Sequence, residues 1–201
     1  MCPRYSPKII KNKKESRGEY QAVINEKKRI KNGYDSLGGE GYNLRYSEEQ
    51  DIKYDMIFST LILSFDELIF DIGCGTGLLL ERLNIPAVGL DLSPRLLETA
   101  KNKLKSYHFI VNSDAEYLPF RDNVFDTTIS VTVIQNVPYP ELVLQEIKRV
   151  NKIKGRIVIT ALKKAFTIKE FDTLLKQVNF KSYQILDGIS LFDLIAIIEI
   201  W

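Results

Sequence analysis

The 201-residue chain predicts an α/β fold: a doubly wound, seven-stranded, mostly parallel sheet of Rossmann-like type, with one antiparallel strand near the C-terminus. Two observations predict it. From about residue 66, apolar runs of strand length alternate with amphipathic helical patterns. That alternation implies parallel strands joined by helices covering both faces. The last two apolar runs, 180–186 and 191–201, are joined through Asp187-Gly188 with no helical pattern between them. One of them therefore has to run antiparallel.

The elements follow in order. Residues 67–73 read as a strand entering a glycine turn, and 76–84 start a helix. Residues 86–92 are the second strand. The helix over 93–105 opens with Ser93 as N-cap and Pro94 at its first position; Leu96, Leu97, Ala100 and Leu104 share its buried face. Strands are expected over 107–114 and 125–133, a helix over 140–150, and a fifth strand over 154–162. The helix over 167–179 begins with a capping box, Thr167 with Glu170. Upstream, 32–42 is rich in glycine and reads as a loop, followed by a helix over 47–63 capped by Ser47 with Gln50.

The apolar fraction is 45%, ordinary for a globular protein. No apolar run approaches the ~18 residues of a membrane span. No signal-peptide h-region is read at the start. The two cysteines, Cys2 and Cys74, and the single histidine exclude a disulfide framework and argue against a Cys/His metal site. A cytoplasmic protein without metal or membrane attachment is expected. Charge is uneven: residues 1–32 hold 10 Lys/Arg against 3 Asp/Glu, and the remaining residues 18 against 23. This divides the chain into a basic N-terminal arm, 1–32, and a domain, 33–201. The arm is either a solvated terminus or a contact to RNA phosphates or an acidic partner.

The stretch "DIGCGTG", Asp71 to Gly77, places three glycines between the first strand and its helix. Ligands of open α/β sheets bind there, outside the carboxyl ends of the strands. A phosphate-cradling P-loop needs a Lys-Ser/Thr pair that is missing. A dinucleotide fingerprint needs a third glycine where Leu78 stands. Asp71 at the strand end repels a pyrophosphate but suits a ligand carrying an amine or sulfonium.

"DIGCGTG", "VGLDLSP", "NSDAEYLPF" and "FDTTISVTVIQNVPYPE", in this order, resemble the motifs of class I S-adenosylmethionine-dependent methyltransferases. The resemblance implies S-adenosylmethionine as cofactor. It implies that Asp71, Gly73, Cys74, Gly75 and Gly77 form the turn around it, and that Asp91 and Leu92 lie at its ribose. It further implies Asp114 and Ala115 at the adenine, and Val131 at the methionine end. N-terminal segments of related enzymes fold over the cofactor as a lid, which places Tyr46 and Gln50 near the methionine head. Cys74 reads as a small packing residue, because an activated methyl needs no covalent intermediate.

No catalytic base stands out. A single histidine on a strand, His108, is read as structural. "NVPY", Asn136 to Tyr139, resembles a tetrapeptide of enzymes that methylate planar amines, but it sits ten residues after Asp126, further from the strand than that tetrapeptide does.

The wider pattern resembles small archaeal-type members of the ubiquinone-biosynthesis-like methyltransferase group. Some relatives there act on RNA or protein with a small zinc-containing activator subunit. The expected function is methyl transfer to an unidentified acceptor, with a macromolecule favoured. A small-molecule methyltransferase and a non-catalytic binding protein of the same fold are the alternatives.

Overall fold

The computed structural model describes residues 13–188 and 192–201. Its elements are α1 (Lys13–Thr60), β1 (Ile69–Ile72), α2 (Leu78–Arg82), β2 (Ala87–Asp91), α3 (Pro94–Lys101), β3 (His108–Asn112), β4 (Phe125–Ser130), α4 (Pro140–Val150), β5 (Asn151–Leu162), α5 (Ile168–Gln177), β6 (Ser182–Leu186) and β7 (Asp193–Glu199). They build one seven-stranded sheet in the order β3-β2-β1-β4-β5-β7-β6. β1 to β5 pair in parallel, and β7 runs antiparallel to both β5 and β6. The fold class and the antiparallel C-terminal strand are as expected.

The central strand shows why both faces are covered. All four residues of β1 are buried, and successive side chains point to opposite faces. Phe70 and Ile72 enter the core under α4 and α5, where Phe70 stacks on Phe125 with ring centres 4.3 Å apart. Ile69 enters the other core, with Leu79 and Leu80 of α2, Leu97 of α3, and Tyr54 and Ile57 of α1. The Ser93 cap, with Pro94 behind it, and the Thr167–Glu170 capping box are both present.

β3 and β4 end at Asn112 and Ser130, short of the expected 114 and 133. The residues beyond them leave the sheet at its carboxyl edge. His108 is buried at the start of β3, its ring nitrogens bonded to Lys105 N and Ile85 O. It sits at the opposite end of the strand and is structural, as read.

The N-terminal region differs from expectation. Residues 32–42 are not a loop, and Ser47 does not start a helix: α1 runs through both, with one break at Gly38 (φ 64°, ψ 174°). The expected division at 32/33 falls inside the first arm of this helix. Each glycine costs a helix about 1 kcal/mol relative to alanine, and packing on α3 offsets that cost. A Cβ on Gly39 would lie 1.9 Å from Thr99 Oγ1, so only glycine lets the helices meet. Beside this contact, Asp35 accepts from Ser93 Oγ at 2.5 Å, and its carbonyl accepts from Arg95 Nη1 at 2.9 Å.

The second arm of α1 is anchored from below. Lys53, 2% exposed, pairs with the fully buried Asp193 at 3.0 Å. It also donates to Glu49 at 2.6 Å and to Thr132 Oγ1 at 2.8 Å. Asp193 Oδ2 accepts from Thr160 and Thr132 hydroxyls at 2.6 and 3.1 Å. Removing one partner of such a pair strands a buried charge. Lys53→Ala is therefore expected to lower stability by about 3–5 kcal/mol in urea unfolding. Lys53→Met combined with Asp193→Leu should recover most of the loss.

Candidate active site

β1 lies between β2 and β4, so the connections leave it in opposite directions, and a crevice opens at its carboxyl end. A cavity of about 560 Å³ fills this crevice. That size suits a small organic ligand.

The floor is the glycine turn. Gly73 N and Cys74 N both donate to Leu90 O, at 2.7 and 3.0 Å, tying the turn to β2. Gly75 has φ 53° and Gly73 φ 75°, a region that side chains disfavour. Protein atoms approach these glycines closely as well. A Cβ on Gly73 would lie 2.3 Å from Val133 Cγ2, and one on Gly75 3.4 Å from the Tyr42 ring.

Asp91 joins the floor to the next wall. Its Oδ2 accepts from Gly75 N at 2.9 Å and its Oδ1 from Ser93 N at 2.8 Å. Burial pushes its pKa up, and the two backbone N–H groups oppose that rise. Each oxygen keeps a lone pair for a further donor.

Asp114 forms the third wall with Ala115. Its Oδ1 accepts from Glu116 N at 2.9 Å. Lys27 of α1 bridges Asp114 Oδ2 and Glu116 Oε2, 2.5 Å from each. Burial works to lower the Lys27 pKa, and the two carboxylates outweigh it and raise it. Glu116 is buried and also accepts from Tyr139 N at 3.0 Å. No local signal points to Lys27 here, because its partners lie 87 and 89 residues away.

The roof belongs to α1. Tyr34, Tyr42, Tyr46 and Gln50 all line the cavity. Tyr42 packs 5.0 Å from Tyr46 and 6.2 Å from Tyr34, ring centre to ring centre. Burial pushes the Tyr34 phenol up to about 12 and the Tyr42 phenol higher still. The turn after β4, with Thr132 at φ 62°, supplies the last wall.

Among the expected residues, Gly73, Gly75, Asp91, Leu92, Asp114, Ala115, Val131, Tyr46 and Gln50 line the cavity. Asp71, Cys74 and Gly77 stand behind the wall instead. The Cys74 thiol packs where a Cβ on Gly89 would fall, 2.8 Å away. Gly77 caps α2 and faces Ala100. Asp71 is 4% exposed, and its Oδ2 has no hydrogen-bond partner. Gln135 and Asn136 also line the cavity; the "NVPY" reading noted Asn136 and passed over Gln135. Among the described residues no cluster of potential metal ligands is present. No described helix is long and apolar enough to cross a membrane.

A family model described as a methyltransferase domain matches residues 70–159. An uncharacterized protein of Methanocaldococcus jannaschii is 37% identical over 67% of this chain and 52% of its own length. A demethylmenaquinone methyltransferase of Thermotoga maritima is 37% identical over 74% of this chain and 66% of its own length. The chain thus spans between about half and two thirds of these relatives. The crystal structure of an S-adenosylmethionine-dependent methyltransferase from Mesorhizobium loti superposes with a TM-score of 0.65 at 13% identity, covering 73% of this chain and 97% of that one; it shares the fold. Residues 70–159 thus match a methyltransferase domain, in a chain that has the fold of S-adenosylmethionine-dependent methyltransferases.

Burial, with Asp91 as neighbour, raises the Asp71 pKa from 3.8 to about 8. The ligand-free fold therefore holds a proton that the unfolded chain releases. Asp71's stabilising share is full below about pH 4 and is lost as pH rises through about 8. Thermal unfolding of the ligand-free protein should show a stability decline over this window that is absent in Asp71→Asn.

Proposed function

We propose that the chain transfers a methyl group from S-adenosylmethionine to a small molecule enclosed between α1 and the ends of β4 and β5. The observation that carries this reading is a surplus of oxygen acceptors around one cavity. Gln50 Oε1 and, behind the wall, Asp71 Oδ2 have no protein donor, while Asp91 and Asp114 each accept one protein donor per oxygen and keep lone pairs over. Leaving a buried acceptor unpaired costs about 1–3 kcal/mol.

S-adenosylmethionine fits this set, since it carries an ammonium group, a ribose diol and an adenine amine. When bound, it supplies a methyl on a positively charged sulfur, an electrophile that needs no activation by the protein. Asp91, fixed by two backbone N–H groups, would take the ribose hydroxyls. Asp114, oriented by Lys27 and Glu116 N, would take the adenine amine. Gln50 would hold the ammonium, and Asp71, behind the wall, would act on it through its charge. The chain's part in the reaction is to position the reactants and exclude water.

The roof of tyrosines supports a small acceptor, because α1 covers the cavity that a macromolecule would have to enter. The Thermotoga relative's name, a demethylmenaquinone methyltransferase, points the same way. An RNA or protein acceptor is the second reading, and the net basic charge of residues 1–32 favours it. Against it, Lys27 and Lys31 already pair with Asp114, Glu116 and Asp35. A zinc-containing activator subunit would accompany the second reading. Transfer of labelled methyl into separated RNA, protein and small-molecule fractions decides between the two.

Asp91→Ala should weaken S-adenosylmethionine binding by about 10- to 100-fold, the worth of charge-assisted hydrogen bonds to the diol. Calorimetric titration measures it. An unchanged affinity would remove Asp91 from the site.

A further inference from the structure

We infer that two copies of this chain associate through the end of the sheet opposite the cavity, each seating Phe65 in an apolar groove of the other. Large apolar side chains gather at that end. Ile62 and Phe65, on the segment leading into β1, are 87% and 85% exposed. Ile153 and Trp201 are exposed as well. Direct contacts bring the segments that carry them together. Arg156 Nη1 donates to Ile62 O at 2.5 Å. Just before Arg156, Gly155 O accepts from Ile200 N at 3.0 Å, and Lys154 N donates to Ile200 O at 2.7 Å. Segments 62–68, 153–156 and 200–201 thus meet around the amino ends of β1 and β5.

The same end carries a hole of the right size. A groove of about 210 Å³ opens between the end of α1 and the connection from α2 to β2, and Phe58, Leu61, Leu63, Leu83 and Ile85 line it. A cavity of about 150 Å³ accepts a benzene ring, so the groove has room for a phenylalanine side chain. Leu63 faces the groove, and Phe65, two residues on, projects from the surface. A protrusion and a matching hole on one face are what a twofold contact needs, because each residue then meets its counterpart's partner in both directions.

Charge and area point to a second copy as the occupant. Asp66, next to Phe65, is exposed and accepts from Ser64 Oγ at 2.6 Å. Among the described residues no cation pairs with it. Lys105 stands at the groove, where its Nζ donates to Leu83 O at 2.6 Å and to Asn84 Oδ1 at 2.7 Å. Among the described residues no carboxylate pairs with it. The protrusion therefore brings an acid and the hole a base, and a twofold contact pairs them twice. An anionic lipid surface fits less well, because Asp51 and Asp55, the partners of Arg82 in the groove wall, would face it along with Asp66. An aromatic side chain buries about 150–250 Å². Two exposed aromatics and two exposed isoleucines thus offer on the order of 500 Å² per copy, or about 1,000 Å² across the contact, which is what a specific interface needs.

Sedimentation equilibrium of the full chain tests this association. A dimer is expected at about 10–100 µM protein. Phe65→Glu carries a charge into the groove and should weaken the dimer by about 30-fold or more, as loss of a central anchor does. Thermal unfolding of that variant should match the parent, since Phe65 is exposed. Asp66→Lys sets two cations against each other and should weaken the dimer about tenfold. Adding Lys105→Glu should restore it, a recovery that contact between these two side chains of different copies explains. A monomer at about 100 µM, with or without co-sedimentation on phosphatidylglycerol vesicles, would overturn the assignment. So would a dimer that survives Phe65→Glu, or a folded double charge variant that stays monomeric.

Discussion

The rest of the site depends on one electrostatic constraint: oxygen acceptors gathered at the carboxyl edge of β1, β2 and β4 in excess of the donors available to them. Asp71 and Asp91 follow one another across paired strands, with Asp71 opposite Gly89 and Asp91 closing β2. In a low-dielectric pocket both cannot easily be charged. The protein answers in two ways. It gives Asp91 the N–H groups of Gly75 and Ser93, and it holds Asp71 with its pKa raised to about 8. The glycine turn is needed for the first answer, because only a backbone that doubles back tightly brings Gly75 N under the Asp91 carboxylate.

α1 turns this edge into a cavity. Its two arms, bent at Gly38, are fastened at separate points: Lys27 on Asp114 and Glu116, Asp35 on Ser93 and Arg95, and Lys53 on Asp193. Each fastening also orients something the site uses. Lys27 fixes a carboxylate in the third wall, Asp35 holds the cap of the helix behind Asp91, and Lys53 supports the turn that carries Gln135 and Asn136. Solvent-exposed pairs of this kind contribute little. Glu116, Lys53 and Asp193 are buried, where losing a partner is costly.

Much of this was legible in the sequence because it rests on local signals. Strand and helix alternation gave the parallel sheet, the missing crossover gave the antiparallel β7, and Ser93-Pro94 and Thr167–Glu170 gave two helix starts. The motif order placed Gly75, Asp91, Asp114 and Ala115 together. What escaped depends on tertiary contact. The glycines of 32–42 read as a loop, since local propensity disfavours helix there, yet Gly39 is what lets α1 lie against Thr99. The capping pair of Ser47 with Gln50 fails because α1 runs through Ser47, whereas the place of Gln50 at the cavity was expected. Lys27 carried the charge of an apparent solvated arm, and nothing within its own stretch signals Asp114.

Proton release on cofactor binding tests the account most directly. At pH 7 the ligand-free Asp71 holds its proton, and an ammonium group placed beside it should drive that proton off. Calorimetric titration of S-adenosylmethionine in buffers of different ionisation enthalpy counts the protons. The account predicts release of about one proton per molecule bound near pH 7, and none from Asp71→Asn. Binding with no proton released, or with proton uptake, would contradict it.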